Sequence, residues 1–305
     1  MRSLLWDRPL ERSWGWSSVI AAVTVSYLTI GVLALAAWWI DGDLDWLVKF
    51  FQAPGAAILI WLAALELWLA VSVIEYYSPD DLLRPAWTLI ACSAAVQLCG
   101  MVFSQVIGVK SAGNPLLVLT GLPDSSFALA KHLGLAIGGT LRFGLLSAGL
   151  WFALKAYRQA GMLAKLALID WAVLATFAGY LARNVWDVAR AFRAGIRPDI
   201  WHVLSWPVDP LLWLLLAEAL LLFRSARQME PGLIGLCWKA AAMGVILTAL
   251  GDIGMWASDY GYLRWPWNSL TWYLWIPAAA AFARAPALQL EVIRDVTTGR
   301  LNTRT

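Results

Sequence analysis

Long apolar stretches recur along the whole chain and are separated by short polar connections. A helix needs about 20 predominantly apolar residues to span the hydrocarbon core of a bilayer. Eight stretches meet this length, and none shows the period-two alternation of a membrane-spanning strand. They cover residues 16–40, 54–77, 85–109, 127–154, 163–189, 207–223, 232–256 and 269–288. The pattern therefore predicts an all-α, polytopic integral membrane bundle of about eight transmembrane helices.

The positions of the basic residues predict the orientation of these spans. With the N-terminus in the cytoplasm, twelve Lys and Arg residues fall in inner segments and six fall in outer loops. Cytoplasmic loops carry an excess of Lys and Arg, so we expect both termini to be cytoplasmic. Residues 1–305 then form a single transmembrane domain, with 289–305 as a short cytoplasmic tail. Arg190, Arg193 and Arg197 are the exception, because they fall together in one outer loop.

Composition agrees with a membrane protein and excludes several other classes. Hydrophobic residues make up 61% of the chain and charged residues 14%, whereas soluble domains average about 45–50% and about 25%. A soluble globular enzyme and a disordered chain are excluded on this basis. The net charge is only +3 and the basic residues are scattered over the loops without forming a patch, so we expect no nucleic-acid partner.

Tryptophan is unusually frequent, with 21 residues, and its distribution is uneven. In the predicted orientation ten of these residues lie near the outer interface and six near the inner one. An aromatic belt at the membrane interface accounts for this enrichment. The alternative is a Trp-rich lid, formed by residues 41–46 and 260–275, over an outward-facing cavity. The 41–52 stretch is also typical of an interfacial helix.

Ionisable residues inside the predicted spans are candidates for function, since charges in a bilayer are costly and face a bundle interior or a cavity. Counting along the spans places Glu66 and Arg142 at mid-depth, where an ion pair is the cheapest way to hold both charges. This pair would be structural or would couple protons or ions. Asp170, Glu218 and Lys239 form a second polar cluster in the inner half, for which structural pairing is the simpler interpretation.

The outer half is the richest in ionisable residues. His132 lies near the start of one span, Arg183 and Asp187 near the end of another, and Asp252 just inside a third. Charge, a histidine and aromatic residues converge there, as they do in ligand pockets. These four residues are the predicted ligand-binding site, for a small apolar or anionic ligand that enters from outside. Packing and interfacial solvation are the alternative explanation for them.

Motifs for catalysis and metal binding do not occur in the sequence. His132 and His202 each stand alone, and there is no HExxH, GxSxG or glycine-rich phosphate loop. Cys92, Cys99 and Cys237 form no CxxC pair and are expected to be small apolar residues. We therefore predict no catalytic residue and no metal site. The cofactor stays open, and a protein that is not an enzyme is the favoured interpretation.

The C-terminal third carries a resemblance to a known group of proteins. The runs DPLLWLLLAEALLLFRSA (209–226) and GLCWKAAAMGVILTALGDIGMWASDYGYLRWPWNSLTWYLWIPAAAAFARAPALQ (235–289) resemble multi-helix membrane sensor regions of bacterial signalling proteins. The shared features are an Asp-bearing helix, a short Tyr/Gly/Trp loop and an Ala-rich helix that starts with Trp. The resemblance implies location in the bacterial cytoplasmic (inner) membrane. No output domain follows the last span, which implies signalling through a protein partner or a homo-oligomer.

Three functions follow from these patterns. The first is a sensor, receptor-like or scaffold subunit with an outward-facing polar pocket under a Trp-rich lid. The second is a small-molecule or ion-coupled transporter or channel that uses Glu66 and Arg142. The third is a redox or pigment-associated subunit whose aromatic residues pack a quinone, carotenoid or haem. In each case the lipid bilayer is one partner, and the first two also involve a small molecule or ion.

Overall fold

The computed structural model describes residues 15–41, 45–111, 124–195, 207–228, 233–259, 262 and 270–297. These residues form eight helices. They are α1 (Trp16–Asp41), α2 (Asp45–Ile74), α3 (Leu83–Ser111), α4 (Asp124–Gln159), α5 (Leu168–Arg193), α6 (Val208–Arg227), α7 (Leu233–Asp259) and α8 (Leu270–Thr297). No strand occurs in the described ranges. The predicted all-α class is therefore confirmed, and each predicted span overlaps one helix.

Four of the described helices are long and apolar enough to cross a membrane. The qualifying segments are Trp16–Ala37 in α1, Pro54–Ile74 in α2, Leu83–Val102 in α3 and Gly235–Gly254 in α7. The other four helices have 20 to 36 residues and contain more charged residues. These four segments indicate that the protein is an integral membrane protein.

Six helices form a closed ring, in which each helix packs against two neighbours in the order α2, α3, α4, α6, α7, α8 and back to α2. Helix α1 packs outside the ring, mainly against α8, and α5 packs outside it against α6. Several of the largest fully buried side chains belong to helices of the ring, including Trp87, Trp238 and Leu150. In a bilayer such packing stabilises the bundle through van der Waals contacts rather than by removing apolar surface from water.

The helices alternate in direction, as side-chain contacts at one end of the bundle establish. The Trp16 and Trp68 rings join the start of α1 to the end of α2, with their centroids 5.8 Å apart. The rings of Trp87 and Trp238, 5.2 Å apart, join the starts of α3 and α7. Gln289 Nε2 donates a 2.8 Å hydrogen bond to the Tyr77 hydroxyl group, joining the ends of α8 and α2. We call this the proximal end, and the opposite end the distal end.

Glycine lets α3 and α4 approach closely. A Cβ atom at Gly149 of α4 would lie 3.1 Å from both the Ala86 carbonyl oxygen and Ile90 Cγ1 of α3. On the same interface the Ser93 hydroxyl group donates a 3.0 Å hydrogen bond to the Arg142 carbonyl oxygen. Small residues at a helix contact allow the backbones to come together where no water drives association. The rotational setting of α4, and with it the position of Arg142, is fixed by this contact.

Helix α4 ends in a Schellman turn that directs the chain into α5. Gly161 has φ of +70°, which is the left-handed conformation that glycine adopts at least cost. The Met162 and Gly161 amide groups donate to the carbonyl oxygens of Tyr157 and Arg158, at 2.9 and 3.1 Å, which completes the motif. The chain then runs without helix to Leu168, so α5 begins five residues after the predicted start of that span.

Two predicted boundaries differ from the structure. The 41–52 stretch does not form a separate interfacial helix, because α2 runs unbroken from Asp45 through Pro54 to Ile74. Arg190 and Arg193 lie in the last turn of α5 rather than in a loop. Positive charge at the C-terminus of a helix is favourable, which accounts for these arginines without a special outer loop.

Candidate functional site

Arg142 projects from α4 into the ring interior. Its guanidinium group lies within electrostatic range of Glu66 on α2 and of Asp252 on α7. Neither α2 nor α7 borders α4 in the ring, so a side chain that reaches both must lie inside it. The guanidinium carbon also lies 5.5 Å from the centroid of the Phe143 ring. Two carboxylates on different helices therefore share one cation.

Glu66 is deeply buried, with 3% of the residue exposed. Among the described residues, its Oε2 atom and Arg142 Nε have no hydrogen-bond partner. The predicted pair therefore lies close enough to interact electrostatically, and one atom on each side keeps unused hydrogen-bonding capacity. An unsatisfied polar atom in a buried site costs about 1–3 kcal/mol and more for a charged group, which makes this position energetically expensive to maintain.

Asp252 is held by the indole of Trp275 on α8. Trp275 Nε1 donates a 3.1 Å hydrogen bond to Asp252 Oδ1. The indole lies directly over α7, because a Cβ atom at Gly251 would lie only 2.4 Å from Trp275 Nε1. Glycine at position 251 is thus what gives the indole access to the carboxylate. Gly244 of α7 also packs closely on α8, since a Cβ atom there would lie 2.9 Å from the Phe282 ring.

A cavity of about 190 Å³ opens beside Asp252, between α5, α6 and α7. Its walls combine two carboxylates, two aromatic rings and four aliphatic side chains. The lining residues are Tyr180, Asp209, Leu212, Trp213, Leu216, Ala249, Asp252 and Ile253. The rings of Tyr180 and Trp213 are stacked, with centroids 6.2 Å apart and planes 25° apart. We call this space the distal cavity, since Asp209 begins α6 and Asp252 lies near the end of α7.

The charges continue from the cavity to the surface of α5. Asp252 and Asp209 lie within electrostatic range of each other, and Asp209 within range of Arg183. Arg183 Nε lies 3.7 Å from Asp187 Oδ2, and both side chains are exposed, where such a pair contributes little to stability. We call the connected set the charged row, which consists of Glu66, Arg142, Asp252, Asp209, Arg183 and Asp187. Four carboxylates against two guanidinium groups give the row a formal charge of −2.

The four residues predicted as the ligand site have different positions in the structure. Asp252 lines the distal cavity, whereas Arg183 and Asp187 lie beside it on α5. His132 is part of α4, but its side chain lies outside the described residues. His202 and most of the two segments of the predicted lid also lie outside them, so the prediction of a lid stays a prediction.

Among the polar and aromatic lining residues, the sequence did not predict Tyr180, Asp209 and Trp213. Asp209 and Trp213 are spaced i, i+4 in the first turns of α6, and Tyr180 lies three residues before Arg183 on α5. Helical spacing puts Asp209 and Trp213 on one face of α6. The missed signal was therefore an acidic residue with an aromatic residue one turn later at the start of a span.

The predicted inner cluster is divided between different partners. Asp170, fully buried at the start of α5, pairs with Arg224 near the end of α6. Its Oδ2 atom also accepts a 2.6 Å hydrogen bond from the Ala167 amide group. Glu218 is hydrogen-bonded by the Ser147 hydroxyl group of α4. Lys239 lies near the start of α7, also towards the proximal end.

A second bond at this end supports a structural role for Asp170. Ser225 Oγ accepts a 3.0 Å hydrogen bond from the Ala164 amide group in the connection before α5. Arg224 and Ser225 are consecutive residues of α6. They therefore bind the chain both before α5, at Ala164, and in its first turn, at Asp170. Since α5 packs mainly on α6, these contacts hold α5, and with it one wall of the distal cavity.

Metal chemistry has no support among the described residues, which contain no group of three or more His, Cys, Asp or Glu side chains able to hold an ion. Cys92 and Cys99 are exposed and Cys237 is buried, and all three are free thiols.

Comparison with known proteins gives no relative from which a function could be transferred. No protein-family model matches the chain, and no curated protein or solved structure matches it either. The fold and the charged row define its class as an all-helical protein with membrane-spanning helices and a charged interior.

Replacing Arg224 with Ala is expected to destabilise the protein by about 3 kcal/mol, because the fully buried Asp170 carboxylate loses its counter-ion. Unfolding by sodium dodecyl sulfate in mixed micelles measures the change. Arg227→Ala is the matched control, since Arg227 lies in the same last turn but is exposed. Equal effects of the two substitutions would contradict the role assigned to Asp170 and Arg224.

Proposed function

We propose that this protein is a non-enzymatic sensor or receptor-like subunit that binds a small molecule in the distal cavity. The observation that carries the proposal is the cavity itself, in which two carboxylates and two stacked aromatic rings from three helices face one space of about 190 Å³. Ligand sites are typically concave and mostly apolar, with a few converging polar groups. Ligand binding would affect the bundle interior through Asp252, because this residue lines the cavity and interacts electrostatically with Arg142.

The proposed setting is a bacterial cytoplasmic membrane, with all eight helices spanning it and both termini in the cytoplasm. Alternating helix directions support an even number of crossings with both ends of the chain on one side. The proximal end carries the basic residues Arg84, Lys155, Arg158, Lys165 and Arg227, which supports a cytoplasmic proximal end. The distal cavity would then face the opposite side, and signalling would pass to a protein partner or to a second copy.

The first test fills the cavity. Ile253 and Leu250 both lie on α7 and are 41% and 47% exposed, but Ile253 lines the cavity and Leu250 does not. The probes are phenethylammonium, 2-phenylethanol and phenylacetate, three compounds of similar size and different charge, titrated by calorimetry into the purified protein in detergent. At least one probe is expected to bind saturably, and Ile253→Trp is expected to weaken it at least tenfold by occupying its space.

Leu250→Trp is the control and should leave the affinity unchanged, because it adds the same indole to a neighbouring turn outside the cavity. Thermal unfolding of both variants without probe establishes that they are folded. Absence of saturable binding for all three probes would contradict the proposed function. So would wild-type affinity in a folded Ile253→Trp protein.

A second candidate function, proton- or ion-coupled transport, is favoured by one specific observation. Glu66 is buried in the ring with a carboxylate oxygen that has no hydrogen-bond partner among the described residues, and it shares Arg142 with the cavity residue Asp252. A buried carboxyl group of this kind can exchange a proton when a nearby charge changes. A ligand that binds beside Asp252 would change the field at Arg142 and thereby at Glu66.

Transport predicts that proteoliposomes with the protein take up radiolabelled phenethylammonium in response to a pH gradient. Glu66→Gln should abolish this uptake while the calorimetric affinity of the distal cavity changes by less than threefold. The control is Glu75→Gln, which makes the same chemical change at an exposed position. Uptake that is absent from wild-type protein, or unchanged by Glu66→Gln, would exclude coupling through Glu66.

A further inference from the structure

We infer that the ligand of the distal cavity is an organic cation, a protonated amine or quaternary ammonium compound with an apolar or aromatic body. This inference rests on the proposed function and assigns its ligand class. The cationic nitrogen would lie between Asp209 and Asp252, and the body of the ligand would lie against Tyr180 and Trp213. The sequence alone pointed to an apolar or anionic ligand, and the cavity lining favours the opposite charge.

The first argument is the charge of the lining. Asp209 and Asp252 come from different helices, face the same cavity and lie within electrostatic range of each other. Two carboxylates that face the same cavity repel one another. A cation between them relieves this repulsion, whereas an anion increases it. Among the described residues that line the cavity, none carries a positive charge.

The second argument concerns Arg142 and Arg183, which interact electrostatically with the cavity residues Asp252 and Asp209, because both arginines are already engaged. Arg142 lies within electrostatic range of Glu66 and Asp252, and Arg183 pairs with Asp187 and lies within electrostatic range of Asp209. Each guanidinium group therefore interacts with two carboxylates. The whole charged row keeps a formal charge of −2, from four carboxylates and two guanidinium groups. A ligand with one positive charge would reduce it to −1, and a ligand with two would neutralise it.

The third argument is the shape and chemistry of the walls. Tyr180 and Trp213 present stacked rings, and an ammonium group near an aromatic face is attracted by the ring quadrupole. Leu212, Leu216 and Ile253 supply aliphatic surface. An apolar cavity of about 150 Å³ accommodates benzene, so about 190 Å³ suits a phenyl-sized body that carries a short aminoalkyl chain.

The test compares the three probes on the same protein. Phenethylammonium is expected to bind at least tenfold more tightly than 2-phenylethanol, and phenylacetate more weakly than both. Asp252→Asn and Asp209→Asn should each weaken phenethylammonium at least tenfold and change the affinity for 2-phenylethanol less than threefold. Asp80→Asn is the control, because it removes an exposed carboxylate at the proximal end, and it should change neither affinity.

The outcomes separate this inference from the proposed function. If 2-phenylethanol or phenylacetate binds as tightly as phenethylammonium, and Ile253→Trp still weakens it, the cavity is a ligand site and the cation assignment is overturned. If none of the three probes binds to the wild-type protein, both the cation assignment and the proposed function are overturned. Should Asp252→Asn fail to fold, Asp209→Asn decides the question, since Asp209 is exposed and its substitution disturbs little packing.

The ammonium group could come from a soluble amine or from a lipid headgroup, and a further arm of the experiment distinguishes them. The titration is repeated in nanodiscs of phosphatidylglycerol with and without phosphatidylethanolamine. Unchanged affinity for phenethylammonium supports a soluble amine as ligand. Competition by phosphatidylethanolamine that Asp209→Asn removes supports the same cation site with a lipid headgroup in it.

Discussion

A guanidinium group inside an apolar helix bundle is costly unless carboxylates compensate its charge, and Arg142 is the residue at which this constraint operates. Its charge is shared by Glu66 on α2 and Asp252 on α7, two helices that do not border α4 in the ring. The requirement therefore ties together three separated helices. Close packing at Gly149 and the Ser93 hydrogen bond to the Arg142 carbonyl oxygen fix α4 in the orientation that makes this possible.

The same constraint connects the interior to the distal cavity. Asp252 neutralises part of the Arg142 charge, accepts a hydrogen bond from Trp275 and lines the cavity. A ligand that changes the charge around Asp252 must alter the field at Arg142 and Glu66, since charges interact strongly where water is scarce. This is a physical route from a binding event to the packing of three helices, and it serves a sensor and a transporter equally well.

The sequence predicted the helices well and the side-chain neighbours less well. Apolar length located all eight helices, and depth counting identified Glu66, Arg142 and Asp252, because a charge within a span stands out by composition alone. The partner of Asp170 was missed because Arg224 lies one residue beyond the predicted span 207–223, although it belongs to the last turn of α6. Tyr180, Asp209 and Trp213 were missed because a cavity depends on which faces of three helices meet. Local periodicity contains no information on that, nor on the path of α2 through Pro54.

The compensation of Arg142 is tested most directly by double-mutant cycles on the free energy of unfolding, with Arg142→Gln combined in turn with Glu66→Gln and Asp252→Asn. Each pair is expected to show a coupling energy of at least about 1 kcal/mol, because removing a carboxylate costs less once the cation is gone. Additive effects within about 0.5 kcal/mol in both cycles would contradict the account, since Arg142 would then be compensated by neither carboxylate.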